Sequence, residues 1–179
     1  MTTAYARDRG GTGALPPVSE LLGAFRSMAE VTGEHPVLTA ARALVHCHRA
    51  RRAAHLDGRD PHISGAELAD RTRRLAELDG ERDNLVARID NWVADNVEHR
   101  DGASLHTETL GAVIDRMAGK WVAAQDALGF PADDPGPDTP VGPVPGEGHL
   151  HWVRLAELAD GYQDLIIDIA EHRRRLPVF

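Results

Sequence analysis

Residues 64–93 read SGAELADRTRRLAELDGERDNLVARIDNWV, and this stretch decides the fold class. Its start matches a capping box, in which the Ser64 hydroxyl caps an exposed helix amide and the Glu67 carboxylate reaches back to the serine amide. Apolar side chains then recur every three or four residues, which is the period of an α-helix. The residues on this stripe are Leu68, Leu75, Leu78, Leu85, Ile89, Trp92 and Val93. The pattern predicts one long helix over about residues 65–98.

Four other segments have the same period and are bounded by proline, glycine or polar turn residues. They predict helices over about residues 18–32, 36–56, 107–128 and 149–175. Residues 131–146 contain six of the eleven prolines and predict a stiff, exposed connector. Residues 1–14 have no apolar pattern and predict a disordered N-terminal tail. Residues 15–179 are therefore expected to form one all-α domain, an up-and-down bundle of about five helices with one long Pro-rich crossover before the last helix.

Composition supports this fold class and excludes several kinds of partner. Aromatic residues make up only 4% of the 179 residues, and strands favour aromatic and β-branched side chains. The formal net charge of −8 argues against nucleic acid as a partner. No apolar run approaches the ~20 residues of a membrane span, and no charged-then-apolar leader opens the sequence. We therefore expect a cytoplasmic protein with no nucleic-acid partner and no membrane partner.

Metal and cofactor sites are not expected either. The single cysteine, Cys47, excludes a disulfide framework and a thiolate zinc site, and a lone cysteine is most often a small buried hydrophobic residue. The ten histidines include no Glu-x-x-His pair of the kind that di-metal helical bundles use. The sequence contains neither a glycine-rich phosphate loop nor a nucleophile elbow. The expected cofactor is therefore none, and no residue is assigned to a metal.

The predicted second helix has an inner stripe that changes character halfway along. Its first half is apolar and consists of Leu38, Ala41, Leu44 and Val45. Continued at the same spacing, the stripe reaches His48, Arg52 and His55. A polar end on a core-facing stripe is unusual, so we expect a site with a chemical role at this end of the helix.

Carboxylates on the two neighbouring predicted helices are further candidates. Glu108 and Asp115 are seven residues apart, which places them on one helix face, and Gly111 between them would leave the backbone open to a ligand. The alternative interpretation is a capped helix with surface charges.

A row of acidic residues also follows the long helix. Asp79, Asp83 and Asp90 fall within roughly 40° of one another around the helix axis. Arg82 lies where it can neutralise Asp79 or Asp83. The alternative interpretation is a solvated acidic flank with ion pairs one turn apart.

Three segments of the chain carry a resemblance to a known family. Residues 44–46 read LVH, residues 82–90 read RDNLVARID and residues 107–116 read TETLGAVIDR. In this order they resemble the motifs of a bacterial helical family, the domain of unknown function numbered 4254, over roughly residues 36–128. The departures from the family's pattern are Val45 for tryptophan, Asp79 for asparagine, Leu110 for proline, and His48 and Arg49 for an acidic pair.

The resemblance implies a helical fold and selects site residues, but it implies no known reaction. The selected residues are His46, Arg82, Asp83, Asp90, Glu108, Asp115 and Arg116. Polar side chains on three helices, each beside an apolar stripe, can meet inside a bundle, where buried charges need partners.

Two functions follow as expectations. The first is a small enzyme that uses acid/base chemistry on a small polar or anionic molecule, in a biosynthetic pathway. Its expected catalytic residues are Glu108, Asp115, His46 and His48, and its expected substrate-binding residues are Arg49, Arg82, Asp83 and Arg116. The second is a non-catalytic binding or accessory protein, in which the same cluster is a structural ion-pair network or a ligand site. A small-molecule ligand and a homodimer are expected as partners.

Overall fold

A computed structural model describes residues 14–27, 29, 32–56, 64–127 and 147–177. Within these residues the chain is all-α and forms five helices, as predicted. The helices are α1 (Val18–Arg26), α2 (Pro36–Leu56), α3 (Gly65–Asn96), α4 (Leu110–Ala127) and α5 (Glu147–Ala170). The predicted connector 131–146 and the predicted tail, apart from Ala14, lie outside the described residues. The division into a tail and one domain therefore stays a prediction.

The capping box at the start of α3 is confirmed. The Glu67 amide donates to the Ser64 hydroxyl at 3.2 Å, and the Ser64 amide donates to the Glu67 carboxylate at 2.8 Å. The apolar stripe of α3 is buried only from Leu78 onwards, whereas Leu68 is 50% exposed. The first turns of α3 therefore extend beyond the part of the helix that contributes to the core.

Two predicted helix ends are wrong. The first helix ends at Arg26, well before Gly33, because the chain leaves helical geometry at Ser27. The last helix ends at Ala170, and the positive φ of His172 (57°) turns the chain away from the helix axis. The basic residues that follow are therefore not a helix end: they include a two-residue strand, β2 (Arg174–Arg175), which pairs in parallel with β1 (Ser104–Leu105).

The core lies between the helices, with α2 packed against α1, α3 and α4, and with α4 packed against α5. The predicted stripe of α2 is buried at each of its four apolar positions, from Leu38 to Val45. Trp121 is 7% exposed and contacts the ring of Trp152 edge to face, with the ring centroids 5.7 Å apart. Trp92 and Trp152 are partly buried against this core. All three tryptophans therefore belong to the core or its edge.

None of the helices in the described part of the chain is both long enough and apolar enough to cross a membrane.

Candidate functional site

The polar half of α2 meets α4 at His48. Its Nε2 atom lies 2.9 Å from Oδ1 of Asp115, and Asp115 is only 8% exposed. An ionised carboxylate can only accept a hydrogen bond. Nε2 therefore carries the proton and donates a hydrogen bond to Asp115. In the neutral ring, the free lone pair is then on Nδ1.

Arg82 of α3 binds the same carboxylate from the other side. Its Nε donates to Oδ1 of Asp115 at 2.8 Å, and its Nη2 donates to Oδ2 at 3.0 Å. Burial is the largest single influence on the Asp115 pKa and would raise it, but the hydrogen bonds and charges of His48 and Arg82 together hold this pKa below its usual value. The hydrogen bond from Arg82 to Asp115 in turn raises the pKa of the guanidinium. The site therefore contains a buried carboxylate that stays ionised.

Ion pairs connect this carboxylate to a second arginine, Arg51, which lies on α2. Nε of Arg51 lies 2.6 Å from Oδ1 of Asp79, and the same oxygen lies 4.0 Å from Nη1 of Arg82. Arg51 and His48 are one turn apart on α2. The contacts therefore link α2, α3 and α4 in a chain that runs from His48 through Asp115, Arg82 and Asp79 to Arg51, and these five residues are here called the charge ring.

A cavity of about 350 Å³ opens beside the charge ring and is here called the α2–α4 cavity. Binding sites for small molecules commonly have volumes of ~300–1,000 Å³. The wall from α2 is mostly basic, whereas the wall from α4 is small and apolar. The lining residues are His48, Arg51, Arg52, His55, Leu56, Gly119, Val122 and Ala123. This cavity lies at the polar end of the α2 stripe, where the sequence predicted chemistry.

Gly119 provides the room in which the His48 ring lies. A Cβ atom at position 119 would be 3.2 Å from Cε1 of His48 and 3.5 Å from its Nδ1. The shorter distance is tighter than ordinary van der Waals contact, so the ring would have to give way to a side chain there. A glycine at this position therefore lets the imidazole rest close to the α4 backbone.

Two further arginines of α2 bind side chains of α4. Arg52 forms an ion pair with Asp126, and the Arg52 side chain remains 49% exposed at the cavity. Nη2 of Arg49 donates to Oε1 of Gln125 at 2.7 Å. Arg49, an expected substrate-binding residue, is therefore engaged at the contact between the two helices.

Gly111 has a role other than the expected one of leaving backbone open to a ligand. Its N–H donates to Oδ1 of Asp90 at 2.7 Å, and a Cβ atom there would come within 2.6 Å of the Val86 carbonyl oxygen. The glycine thus permits close approach of α3 and α4, and Asp90 satisfies a free amide in the first turn of α4. Burial raises the pKa of Asp90, although hydrogen bonds from Gly111 and Thr109 oppose this effect.

Glu108 and Arg116 pair with each other. Nη1 and Nη2 of Arg116 donate to the two carboxylate oxygens of Glu108 at 2.8 and 2.7 Å. Both side chains are more than a third exposed, at 46% for Arg116 and 38% for Glu108. Because α4 begins at Leu110, Glu108 precedes the helix and does not share a helical face with Asp115. This pair is a separate surface contact.

His46 and Asp83 are exposed and are not brought to the charge ring. His46 is two residues from His48 on α2, so the two side chains leave the helix about 200° apart. Of the eight expected site residues, the structure brings His48, Arg82 and Asp115 together.

Sequence reasoning assigned no role to Arg51, Asp126 or Gly119. Arg51 is three residues from His48, and this spacing on a helix was the available signal. Asp126 and Gly119 gave no such signal, because their importance arises only when α4 packs against α2.

The described residues contain no group of three or more histidine, cysteine or acidic side chains that could hold a metal ion. In the charge ring, each carboxylate is already bound by arginine. Cys47 is buried, its Sγ lies 3.1 Å from the Leu78 carbonyl oxygen, and burial raises the pKa of its thiol. This thiol is therefore not an activated nucleophile.

Comparison with known proteins identifies the family. The sequence model described as a protein of unknown function (DUF4254) matches residues 38–178, which is most of the chain. The match extends beyond the three motifs and includes α5. Neither a curated protein nor a solved structure matches the chain. The chain therefore belongs to the DUF4254 family.

Proposed function

We propose that this protein is an enzyme in which His48 carries out acid/base chemistry on a small anionic molecule in the α2–α4 cavity. The observation that carries the proposal is that His48 lines this cavity while the buried carboxylate of Asp115 holds Nε2 of its ring. Histidine is the side chain that exchanges a proton near neutral pH. An imidazole with one nitrogen held by a carboxylate is suited to proton transfer at the other nitrogen.

Asp115 and Arg82 support this role without contacting the substrate. When His48 takes a proton at Nδ1, the adjacent carboxylate stabilises the positive charge of the ring. Because Arg82 and His48 keep the pKa of Asp115 low, Asp115 stays ionised and the transferred proton remains on the imidazole. Asp115 and Arg82 are therefore positioning residues in this proposal.

The basic wall of the cavity supports an anionic substrate. Arg51, Arg52 and His55 line it together with His48, and Leu56 and Val122 add apolar surface. Guanidinium groups bind carboxylate and phosphate oxygens through charge-assisted hydrogen bonds. The cavity thus offers a place for a charged group and for a small organic part.

A second candidate function is a non-catalytic binding protein, and a specific observation favours it. Both carboxylate oxygens of Asp115 already accept hydrogen bonds from His48 and Arg82. A network with internal partners for its buried charge can fix the packing of three helices without any reaction. In that case the cavity would bind a ligand and release it unchanged.

The two candidates are separated by following small anions with the purified protein in D₂O by ¹H and ³¹P NMR. The probes are phenyl phosphate, phosphoenolpyruvate, pyruvate and oxaloacetate. For an enzyme, we expect conversion or deuterium uptake with at least one probe, and a loss of about 100-fold or more in H48Q, the size of a general acid/base contribution. H46Q, which changes an exposed histidine of the same helix, is the matched control. Equal rates in the wild type and H48Q would contradict the enzyme, and binding without conversion would favour the second candidate.

A further inference from the structure

Arg51 and Arg52 reach the α2–α4 cavity from two sides. They are consecutive residues, so their side chains leave α2 about 100° apart. Arg51 turns towards Asp79 of α3, and Arg52 turns towards Asp126 of α4. Both arginines line the cavity. A ligand in the cavity would therefore contact two guanidinium groups, one on the side of α3 and one on the side of α4.

Each carboxylate lies at the Nε atom of its arginine. A guanidinium has five N–H donors, and a partner at Nε leaves the edge formed by the two Nη atoms for a second oxyanion. Both contacts are ion pairs without hydrogen-bond geometry, and among the described residues Arg51 and Arg52 have no other ion pair and no hydrogen bond. Asp79 and Asp126 therefore restrain the two side chains while their outer edges remain available.

The two ion pairs at the cavity are expected to add little to the stability of the helix packing. The Arg51 and Arg52 side chains are 26% and 49% exposed, and exposed ion pairs contribute only about 0–1 kcal/mol to stability. The imidazoles of His48 and His55 add polar groups to the same wall, one turn to either side.

We infer that the ligand of the α2–α4 cavity is a phosphate monoester, whose phosphoryl group binds the outer edges of Arg51 and Arg52. This inference rests on the proposed anion site and adds the chemical class of its ligand. A carboxylate is planar, carries one charge and is satisfied by one guanidinium edge. A phosphoryl dianion presents three oxygens in a tetrahedral arrangement and can bind two edges that point in different directions. Its organic part would lie against the apolar surface of Leu56 and Val122.

The test is isothermal titration of the full-length protein with phenyl phosphate, inorganic phosphate, acetate and succinate at one ionic strength. The variants are R51Q, R52Q and R51Q/R52Q. The matched control is R73Q/R74Q, which removes two charges from exposed ion pairs on α3. Circular dichroism checks that each variant keeps its helices. If the double variant does not fold, the affinities of the two single variants still test the inference.

We expect phenyl phosphate to bind about tenfold or more tightly than acetate or succinate, a difference of roughly 1.4 kcal/mol. Its affinity should fall at least as much in R51Q/R52Q, fall partly in each single variant, and stay unchanged in R73Q/R74Q. H48Q should still bind phenyl phosphate. A loss of turnover in H48Q can therefore be distinguished from a loss of binding.

Three results would overturn the inference. Equal or tighter binding of acetate or succinate would exclude a phosphate monoester and leave an anion site in place. Phenyl phosphate binding that survives in R51Q/R52Q would place the anion elsewhere. Absence of binding for all four anions would remove both this inference and the anionic substrate of the proposed function.

Discussion

Nε2 of His48 and Oδ1 of Asp115 lie 2.9 Å apart, although the two residues are 67 positions apart in the sequence. The contact joins α2 to α4, and Arg82 extends it to α3. Because Asp115 is buried, its charge must be balanced by these two partners.

Replacing Asp115 by alanine should destabilise the protein. The change leaves His48 and Arg82 without their shared acceptor, and an unsatisfied buried polar group costs about 1–3 kcal/mol. Arg82 is partly exposed, so water can replace some of what it loses. The free energy of unfolding in urea measures the effect. D83A, which removes an exposed carboxylate of α3, is the control and should change it by no more than about 0.5 kcal/mol. Equal values for D115A and D83A would contradict the buried contact.

The contribution of Asp115 to stability should depend on pH. Its pKa in the folded protein is below the ordinary value, whereas in the unfolded chain it is about 3.9. Above this value the carboxylate is ionised in both states, and its full contribution is present. As the pH falls, the unfolded chain takes up the proton first, and the contribution is lost as the pH passes the lowered folded pKa. The difference in unfolding free energy between the wild type and D115N should therefore be constant near neutral pH and shrink below about pH 4.

Asp90 should behave in the opposite way, because burial raises its pKa. The folded protein takes up this proton at a higher pH than the unfolded chain, so ionisation of Asp90 opposes folding at neutral pH. D90N keeps an oxygen that can accept from the Gly111 amide and should be as stable as the wild type or more stable at pH 7. D90A removes the acceptor and should cost about 1 kcal/mol, as for other capping residues. Urea unfolding of both variants gives the comparison, and a D90N variant less stable than D90A would contradict it.

Three glycine-to-alanine substitutions should have different effects on thermal unfolding. G111A places a Cβ atom 2.6 Å from the Val86 carbonyl oxygen, so α3 and α4 must separate, and overpacking of this kind costs about 1–3 kcal/mol. No atom of the described residues lies within 4 Å of a Cβ atom at Gly80, so G80A should stabilise α3 by roughly 0.5–1 kcal/mol.

The G119A substitution tests whether the His48 ring rests on α4. Its effect on stability should lie between those of G111A and G80A. Its Cβ atom would be 3.2 Å from Cε1 of His48, so the ring must shift by a few tenths of an ångström. We expect a smaller loss of stability than in G111A, together with a change in the NMR signals of His48. Unchanged His48 signals in G119A would show that the ring does not rest on α4.

The fold could be predicted from the sequence because helix formation is local. The capping box and the period of the apolar stripe in α3 depend on neighbouring residues alone. The end of α5 could not be predicted in this way, because it depends on the left-handed turn at His172 and on the pairing of β2 with a distant strand.

The candidate site was predicted only in part, and the reason is again physical. The polar half of the α2 stripe pointed to His48, since periodicity gives the face of a helix. Which charges meet across helices depends on tertiary packing. Arg82 binds Asp115 in addition to Asp79, which is one of its two expected partners, and Asp90 accepts from the Gly111 amide.

The central claim is that His48 is held at Nε2 by Asp115 and exchanges its proton at Nδ1 beside the α2–α4 cavity. The most direct measurement is a long-range ¹H–¹⁵N NMR spectrum of the imidazoles, with His48 assigned by H48Q, before and after addition of phenyl phosphate. We predict that, at a pH where the ring is neutral, Nε2 carries the proton and the Nδ1 signal moves when the probe is added. Two results would contradict the claim: a neutral ring protonated at Nδ1, or His48 signals that do not change when phenyl phosphate is added.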